Sequence, residues 1–265
     1  MALKVAIIQL NAGADKSANI NKARRLVGRA IRSRARLIVL PEVFNSRAGI
    51  KTAKDVSRVA EKIPGPSTSP LMDLAGKHKV YILAGSVLEK AKPKKAYNTS
   101  ILISPTGQIV AKYRKQNLFK AVIGKKALNE SRWLLAGKKR AVASIRGFRA
   151  GLTICYDLRF PSLYRDYARR GVNVMCAPAC FTRKTGEAHW QTLVRARAIE
   201  NLSYVLAANQ CGKDARGVMS YGHSMIVGPW GNVLAQAGAG KEAIIYATLT
   251  KKALRDCRKI LPSFK

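Results

Sequence analysis

A chain of 265 residues, 48% of them hydrophobic, is long and apolar enough for one large α/β domain, which argues against disorder. Its 49 Lys and Arg against 14 Asp and Glu give a formal charge of +35, which predicts attraction to nucleic acid, anionic membranes or acidic solutes. The basic residues are scattered and no nucleic-acid motif accompanies them, so the expectation is weak, salt-sensitive, non-specific nucleic-acid association rather than a dedicated recognition element.

Five cysteines, at 155, 176, 180, 211 and 257, are an odd set without secretory spacing, which points to a reducing compartment. The N-terminal apolar run is too short for a signal sequence, and no stretch approaches the ~20 residues of a membrane span. A cytoplasmic protein with no membrane association is expected. Cys176 and Cys180 lie four apart with no second pair, so core or pocket-wall thiols are expected there, not a metal site.

In chain order, residues 4–10 (KVAIIQL) predict a buried strand, and 19–34 have helical apolar spacing with the basic residues opposite. Residues 37–40 (LIVL) predict a second buried strand, followed at once by Pro41-Glu42. Glutamate is rarely buried without a partner, so Glu42 is either a solvated loop residue or a functional one. Residues 63–70 signal a turn, 71–79 a helix and 80–87 a strand. Residues 97–104 and 108–113 flank Pro105-Thr106-Gly107 and predict a hairpin, so the sheet is not purely parallel. Lys115 follows that hairpin, where a lysine is ordinarily a solvated charge. Residues 116–150 are the least regular part and hold one acid, Glu130, before strand patterning resumes at 141–145.

The stretch 151–161 (GLTICYDLRFP) organises the rest. Residues 152–154 predict a buried strand that delivers Cys155 at its end, with the Tyr156 N–H facing the same space. Beyond it, helices are expected at 162–170, at 186–201 with an apolar stripe of Trp190, Leu193, Val194 and Ala198, and at 251–259. Strands are expected at 172–177, 204–208, 223–227 and 244–248. The whole predicts one α/β domain over 1–265, sheets inside and helices outside.

Glu42, Lys115 and Cys155 each follow a predicted buried strand or hairpin. A carboxylate, an ammonium and a thiol form a coherent hydrolytic set: base, anion stabiliser and nucleophile. The alternative for Cys155 is a buried structural thiol.

These residues sit in motifs that resemble the nitrilase superfamily of carbon–nitrogen hydrolases. They are Leu40-Pro41-Glu42, Tyr113-Arg114-Lys115, the run 155–161, Thr185-Gly186 with His189-Trp190, the run 195–201, the run 221–224 and Pro229-Trp230-Gly231. Within the superfamily the chain looks like the branch holding omega-amidase and deaminated glutathione amidase, and the stretches 220–225 and 254–264 lean toward the second. The resemblance implies a four-layer α-β-β-α sandwich that forms a homodimer, with no metal or organic cofactor. It implies Glu42 as general base, Lys115 as stabiliser, Cys155 as nucleophile and Glu130 as a second glutamate orienting the lysine. Lys115 and the Tyr156 N–H would hold the oxyanion. Arg159, Phe181 and Thr185 match positions lining the acyl pocket. For Arg159 two readings stand: a partner for a substrate carboxylate, or an ion pair with Asp157 that shapes the turn. The implied reaction is hydrolysis of a small anionic amide, of the deaminated glutathione or 2-oxoglutaramate type, through a thioester. An N-carbamoyl amine or a nitrile is the alternative substrate. Relatives commonly carry a carboxylate where this chain has Ser162, Gln191 and Gly228, so the acidic surroundings have thinned. A papain-like scheme would pair Cys155 with His189 or His223, but no papain-type neighbourhood surrounds the cysteine.

Overall fold

The computed structural model describes residues 2–50, 52–123 and 126–262. Gly124, in the loop after Lys115, and residues 263–265, which close the C-terminal motif, lie outside the described residues.

Two six-stranded sheets form the inside of the molecule. The first runs Ala243–Thr250, Ala2–Gln9, Leu37–Val39, Tyr81–Lys90, Ala96–Ile103, Ile109–Arg114 from edge to edge. The second runs Val142–Ile145, Phe148–Leu152, Val174–Cys176, Tyr204–Ala207, Met225–Val227, Val233–Gln236. Each has three parallel strands at its centre, one antiparallel strand on one side and two on the other. The two halves share this strand plan although their sequences display no repeat.

Alternation along each strand assigns the layers. Val5 and Ile7 face the second sheet, whereas Ala6 and Ile8 face the helices Lys16–Arg32 and Ser69–His78. That strand reads as a continuous apolar run because both its faces are covered. Ala23, Leu26, Val27 and Ala30 form the inward stripe of the first helix. On the other side, Leu163, Tyr164 and Tyr167 of Pro161–Arg169 and Trp190, Val194 and Ala198 of Arg183–Asn201 cover the second sheet. The expected α-β-β-α sandwich is the result. Burying each large apolar side chain contributes roughly 1.5–3 kcal/mol, so the two sheet–helix seams hold the layers in register.

Some elements differ from the reading of the sequence. The strand leading to Cys155 is Phe148–Leu152 rather than 152–154. The next residues still donate to the neighbouring segment, from Thr153 N to Cys176 O (2.9 Å) and from Cys155 N to Pro178 O (2.8 Å). Pro178 has no N–H to return, so the ladder stops. The irregular region contains a hairpin, Lys120–Ile123 with Lys126–Asn129, and a 3-10 turn, Glu130–Arg132. The helix Ala53–Val59 is absent from the expected elements, yet it starts with a capping box of Thr52 and Asp55 that is visible in the sequence. The short strands Cys211–Lys213, Met219–Tyr221 and Val233–Gln236 are likewise additions, being too short to show a period.

Candidate active site

Glu42 leaves the first sheet just after the central strand Leu37–Val39. A bulge in the neighbouring strand, at Gly85-Ser86, makes room: a Cβ on Gly85 would lie 1.9 Å from Leu40 O. Ser86 Oγ then accepts from Val43 N at 2.9 Å, and Gln210 Nε2 donates to Glu42 O at 2.9 Å. Val43 has φ 47, a left-handed conformation costly for a β-branched residue, and it turns the chain directly after the carboxylate. Cys155 is held the same way, at φ 50 at the start of the 3-10 turn Cys155–Arg159.

Lys115 follows the strand Ile109–Arg114 and is anchored by Lys115 N donating to Asn98 O at 2.8 Å. Its Nζ, on a side chain 1% exposed, lies between two carboxylates. It donates to Glu42 Oε1 at 2.9 Å and to Glu130 Oε1 at 3.1 Å, and Glu130 Oε2 is 3.0 Å away. Glu130 is fixed by Phe119 N donating to its Oε2 at 2.7 Å. Asn98 Nδ2 donates to Glu42 Oε1 at 2.8 Å. Reading the sequence missed Asn98; it is one of three consecutive polar residues, Asn98, Thr99 and Ser100, in the strand Ala96–Ile103, and nothing in the sequence set it apart from the other two.

The electrostatics follow from burial and these contacts. Burial would lower the Lys115 ammonium, but the charges of Glu130 and Glu42 overcome it and hold the group well above its ordinary value. Burial, then the Glu42 charge, push the Cys155 thiol well above its ordinary value; Lys115 and the Cys180 N–H pull the other way. Burial, opposed by Lys115 and reinforced by the Glu42 charge, raises the Glu130 carboxyl. At neutral pH the site therefore holds a cationic lysine and a protonated thiol, so the thiol needs a base to become a nucleophile.

Glu42, Lys115, Glu130 and Cys155 all line one cavity of about 780 Å³, together with Tyr156, Arg159, Phe181 and Thr185. The Tyr156 ring packs edge-on against Phe119 and Phe160. Phe181 sits edge-on against Trp190, and Thr185 closes the helix cap with Thr182. Among the described residues Arg159 and Asp157 form no ion pair, so that reading of Arg159 is corrected. Asp157 accepts from Tyr113, Asn117 and Ile154 instead. The Arg159 guanidinium packs over the Tyr156 and Phe181 rings and contacts His189 Nδ1 at 3.2 Å. His189 is exposed and His223 Nδ1 faces Tyr221 O at 2.9 Å, away from a papain-like pairing. Among the described residues there is no cluster of three or more metal-ligating side chains, and no helix is long and apolar enough to cross a membrane.

The chain matches the carbon–nitrogen hydrolase family over residues 4–259. It is 39% identical to omega-amidase NIT2 of Homo sapiens over 265 residues, covering 100% of this chain and 94% of that protein. The crystal structure of Saccharomyces cerevisiae Nit3, a member of branch 10 of the nitrilase superfamily, superposes with a TM-score of 0.88 at 34% identity, covering 100% of this chain and 96% of that one. An amidase from Nesterenkonia sp. AN1, a double mutant in complex with acrylamide, gives a TM-score of 0.82 at 25% identity, covering 98% and 95% of the two chains. With a sandwich of this plan, a buried lysine between two glutamates beside a cysteine, and a match along nearly its whole length, the chain belongs to the carbon–nitrogen hydrolase family.

Proposed function

We propose that the protein is a cysteine-dependent amidase that hydrolyses the carboxamide of a small anionic substrate, of the deaminated glutathione or 2-oxoglutaramate type, to a carboxylate and ammonia. The observation that carries this reading is the Lys115 ammonium between Glu42 and Glu130 in the cavity that Cys155 lines.

Glu42 takes the Cys155 proton as Sγ attacks the amide carbon. Lys115 Nζ and the Tyr156 N–H stabilise the oxyanion that forms. Collapse breaks the carbon–nitrogen bond, and the leaving nitrogen takes the proton back from Glu42 and departs as ammonia. The acyl group remains on Sγ as a thioester. Glu42 then deprotonates a water that attacks the thioester carbon, releasing the carboxylate and returning the proton to Cys155. Glu130 holds Lys115 from the side opposite Glu42. Arg159, on the cavity wall with Phe181 and Thr185, receives the substrate's carboxylate.

Ammonia release tests this on a panel of a deaminated glutathione analogue, 2-oxoglutaramate, an N-carbamoyl amine and a simple nitrile. The two anionic amides should turn over best, and Cys155→Ser and Glu42→Gln should each abolish the reaction. Full turnover by Glu42→Gln would remove the base assignment, and preference for the nitrile or carbamoyl compound would replace the substrate class.

The protein is also proposed to act as a homodimer. Ile199, Trp230, Val233 and Leu234 are exposed at 45%, 54%, 36% and 39%, and Ile199 lies against the turn that carries Trp230. The exposed apolar pair of Ile199 and the Trp230 turn suits a partner surface. Sedimentation should give a dimer mass that Ile199→Asp reduces to a monomer; an unchanged monomer mass for both would end this proposal.

A further inference from the structure

Asp157 is a fully buried carboxylate that the proposed chemistry does not use. Its surroundings are unusual for a buried charge, because they supply four donors from uncharged groups. Tyr113 Oη donates to Oδ2 at 2.7 Å and Ile154 N to Oδ2 at 2.9 Å. Asn117 N and Nδ2 donate to Oδ1 at 3.0 and 2.8 Å. A carboxylate that only accepts, four times, is satisfied without a counter-ion.

Where the donors come from matters more than their number. Tyr113 precedes Lys115 by two positions and Asn117 follows it by two, while Ile154 immediately precedes Cys155. Tyr113 and Asn117 bracket a segment that runs out of the first sheet; Ile154 is the last residue before the left-handed Cys155, just beyond the second sheet's strand Phe148–Leu152. The Asp157 carboxylate is therefore the hydrogen-bonded tie between the lysine segment and the nucleophile turn. Tyr113 and Asp157 are both 0% exposed, so water offers neither a substitute partner.

We propose that Asp157, with Tyr113 and Asn117, is a positioning device that fixes Lys115 relative to Cys155 across the two sheets. It touches no reacting atom. Its effect falls on the chemical step, because an ammonium displaced by a fraction of an ångström from the forming oxyanion loses its differential stabilisation there. Substrate binding is assigned to Arg159 and Phe181, whose side chains take no part in the four Asp157 hydrogen bonds, and is expected to change less than the chemical step. This inference rests on the thioester reading of the site.

The test is steady-state amide hydrolysis by Asp157→Asn and Tyr113→Phe, with folding followed by near-ultraviolet circular dichroism. Asparagine keeps the volume of aspartate but turns one acceptor into a donor that faces donors. Tyr113→Phe removes a single hydroxyl and leaves the other three donors in place. The expected result is a kcat lower by about 100-fold in Asp157→Asn and about tenfold in Tyr113→Phe, with KM within about threefold of the parent. The double variant should lose less than the product of the two, because both break one tie. If Asp157→Asn does not fold, Tyr113→Phe decides alone. A folded Tyr113→Phe with parental kcat, or a loss that appears in KM instead, overturns the positioning role. Cys155→Ser and Glu42→Gln run in parallel separate the two levels: if they are inactive while Tyr113→Phe is fully active, only the tie is lost. If Glu42→Gln is active, the thioester reading itself fails.

Discussion

Asn98 Nδ2 and Lys115 Nζ donate to the same oxygen, Glu42 Oε1, at 2.8 and 2.9 Å. Two donors on one oxygen leave Oε2 as the basic edge of the carboxylate. Asn98 is buried at 2% exposure, on the strand whose carbonyl also anchors Lys115 N. Replacing it with Leu frees Glu42 to rotate about its terminal bond and removes one of its two donors. Asn98→Leu is expected to lower kcat by roughly 10- to 100-fold with a smaller change in KM. Kinetics showing no change in kcat would mean that Lys115 alone orients the carboxylate.

The Cys155 thiol is held above its ordinary value by burial and by the Glu42 charge, and Lys115 is the cation that opposes them. Lys115→Met removes that opposition and leaves Glu42 and Glu130 facing each other without a shared cation. The thiol should rise further, so alkylation of Cys155 by iodoacetamide at fixed pH should slow, and amide turnover should fall by about 10³-fold. Mass spectrometry of the Cys155 peptide reads the first effect independently of catalysis. Faster alkylation in the variant would mean that the ammonium does not stabilise the thiolate.

Arg159 offers its guanidinium to the cavity rather than to Asp157. If it receives the substrate carboxylate, Arg159→Gln should raise KM for an anionic amide tenfold or more, corresponding to a charged hydrogen bond of ~1.5 kcal/mol or more. KM for a neutral amide should be nearly unchanged. Equal effects on the two substrates would assign the residue to pocket shape instead.

Glu89, 6% exposed, ties Arg114, Lys112 and Thr99 together on the sheet below Lys115. Burial pushes its carboxyl up, but these hydrogen bonds more than offset it and hold the pKa at about 2, against an ordinary 4.5. A carboxyl lowered on folding contributes stability that is present above the ordinary value and lost as pH falls toward 2. That contribution is about 2 kcal/mol, allowing for screening of the half-exposed Lys112 and Arg114. Urea unfolding should show this loss between about pH 5 and 2, and Glu89→Gln should flatten it while lowering stability at pH 7. An unchanged acid limb in the variant would place the acid sensitivity elsewhere.

The charge of +35 predicts polyanion binding of a purely ionic kind. Affinity for a random oligonucleotide should fall steeply and linearly on a log–log plot against salt, and be weak at physiological ionic strength. Tight binding that persists above it would require a dedicated surface.

Composition and pattern alone carried the layered α/β plan, because buried strands and amphipathic helices write their period directly into the residues. Glu42, Lys115 and Cys155 were grouped from the sequence for a related reason, since each stands where an apolar run or hairpin ends, and the fold brings all three to one cavity. Glu130 stood out only as the one acid in 116–150, and its role was named from the resemblance alone. What depended on the tertiary structure was every relation between segments distant in the chain. Asn98 reaches Glu42 across 56 positions, and Tyr113 reaches Asp157 across 44. Arg159 and Asp157, two positions apart, form no ion pair, because four donors from other segments and from Ile154 satisfy the aspartate first. Local sequence records the preference of each residue for its own backbone and for burial; which buried polar group finds which partner is settled only when the two sheets close on each other and water is gone.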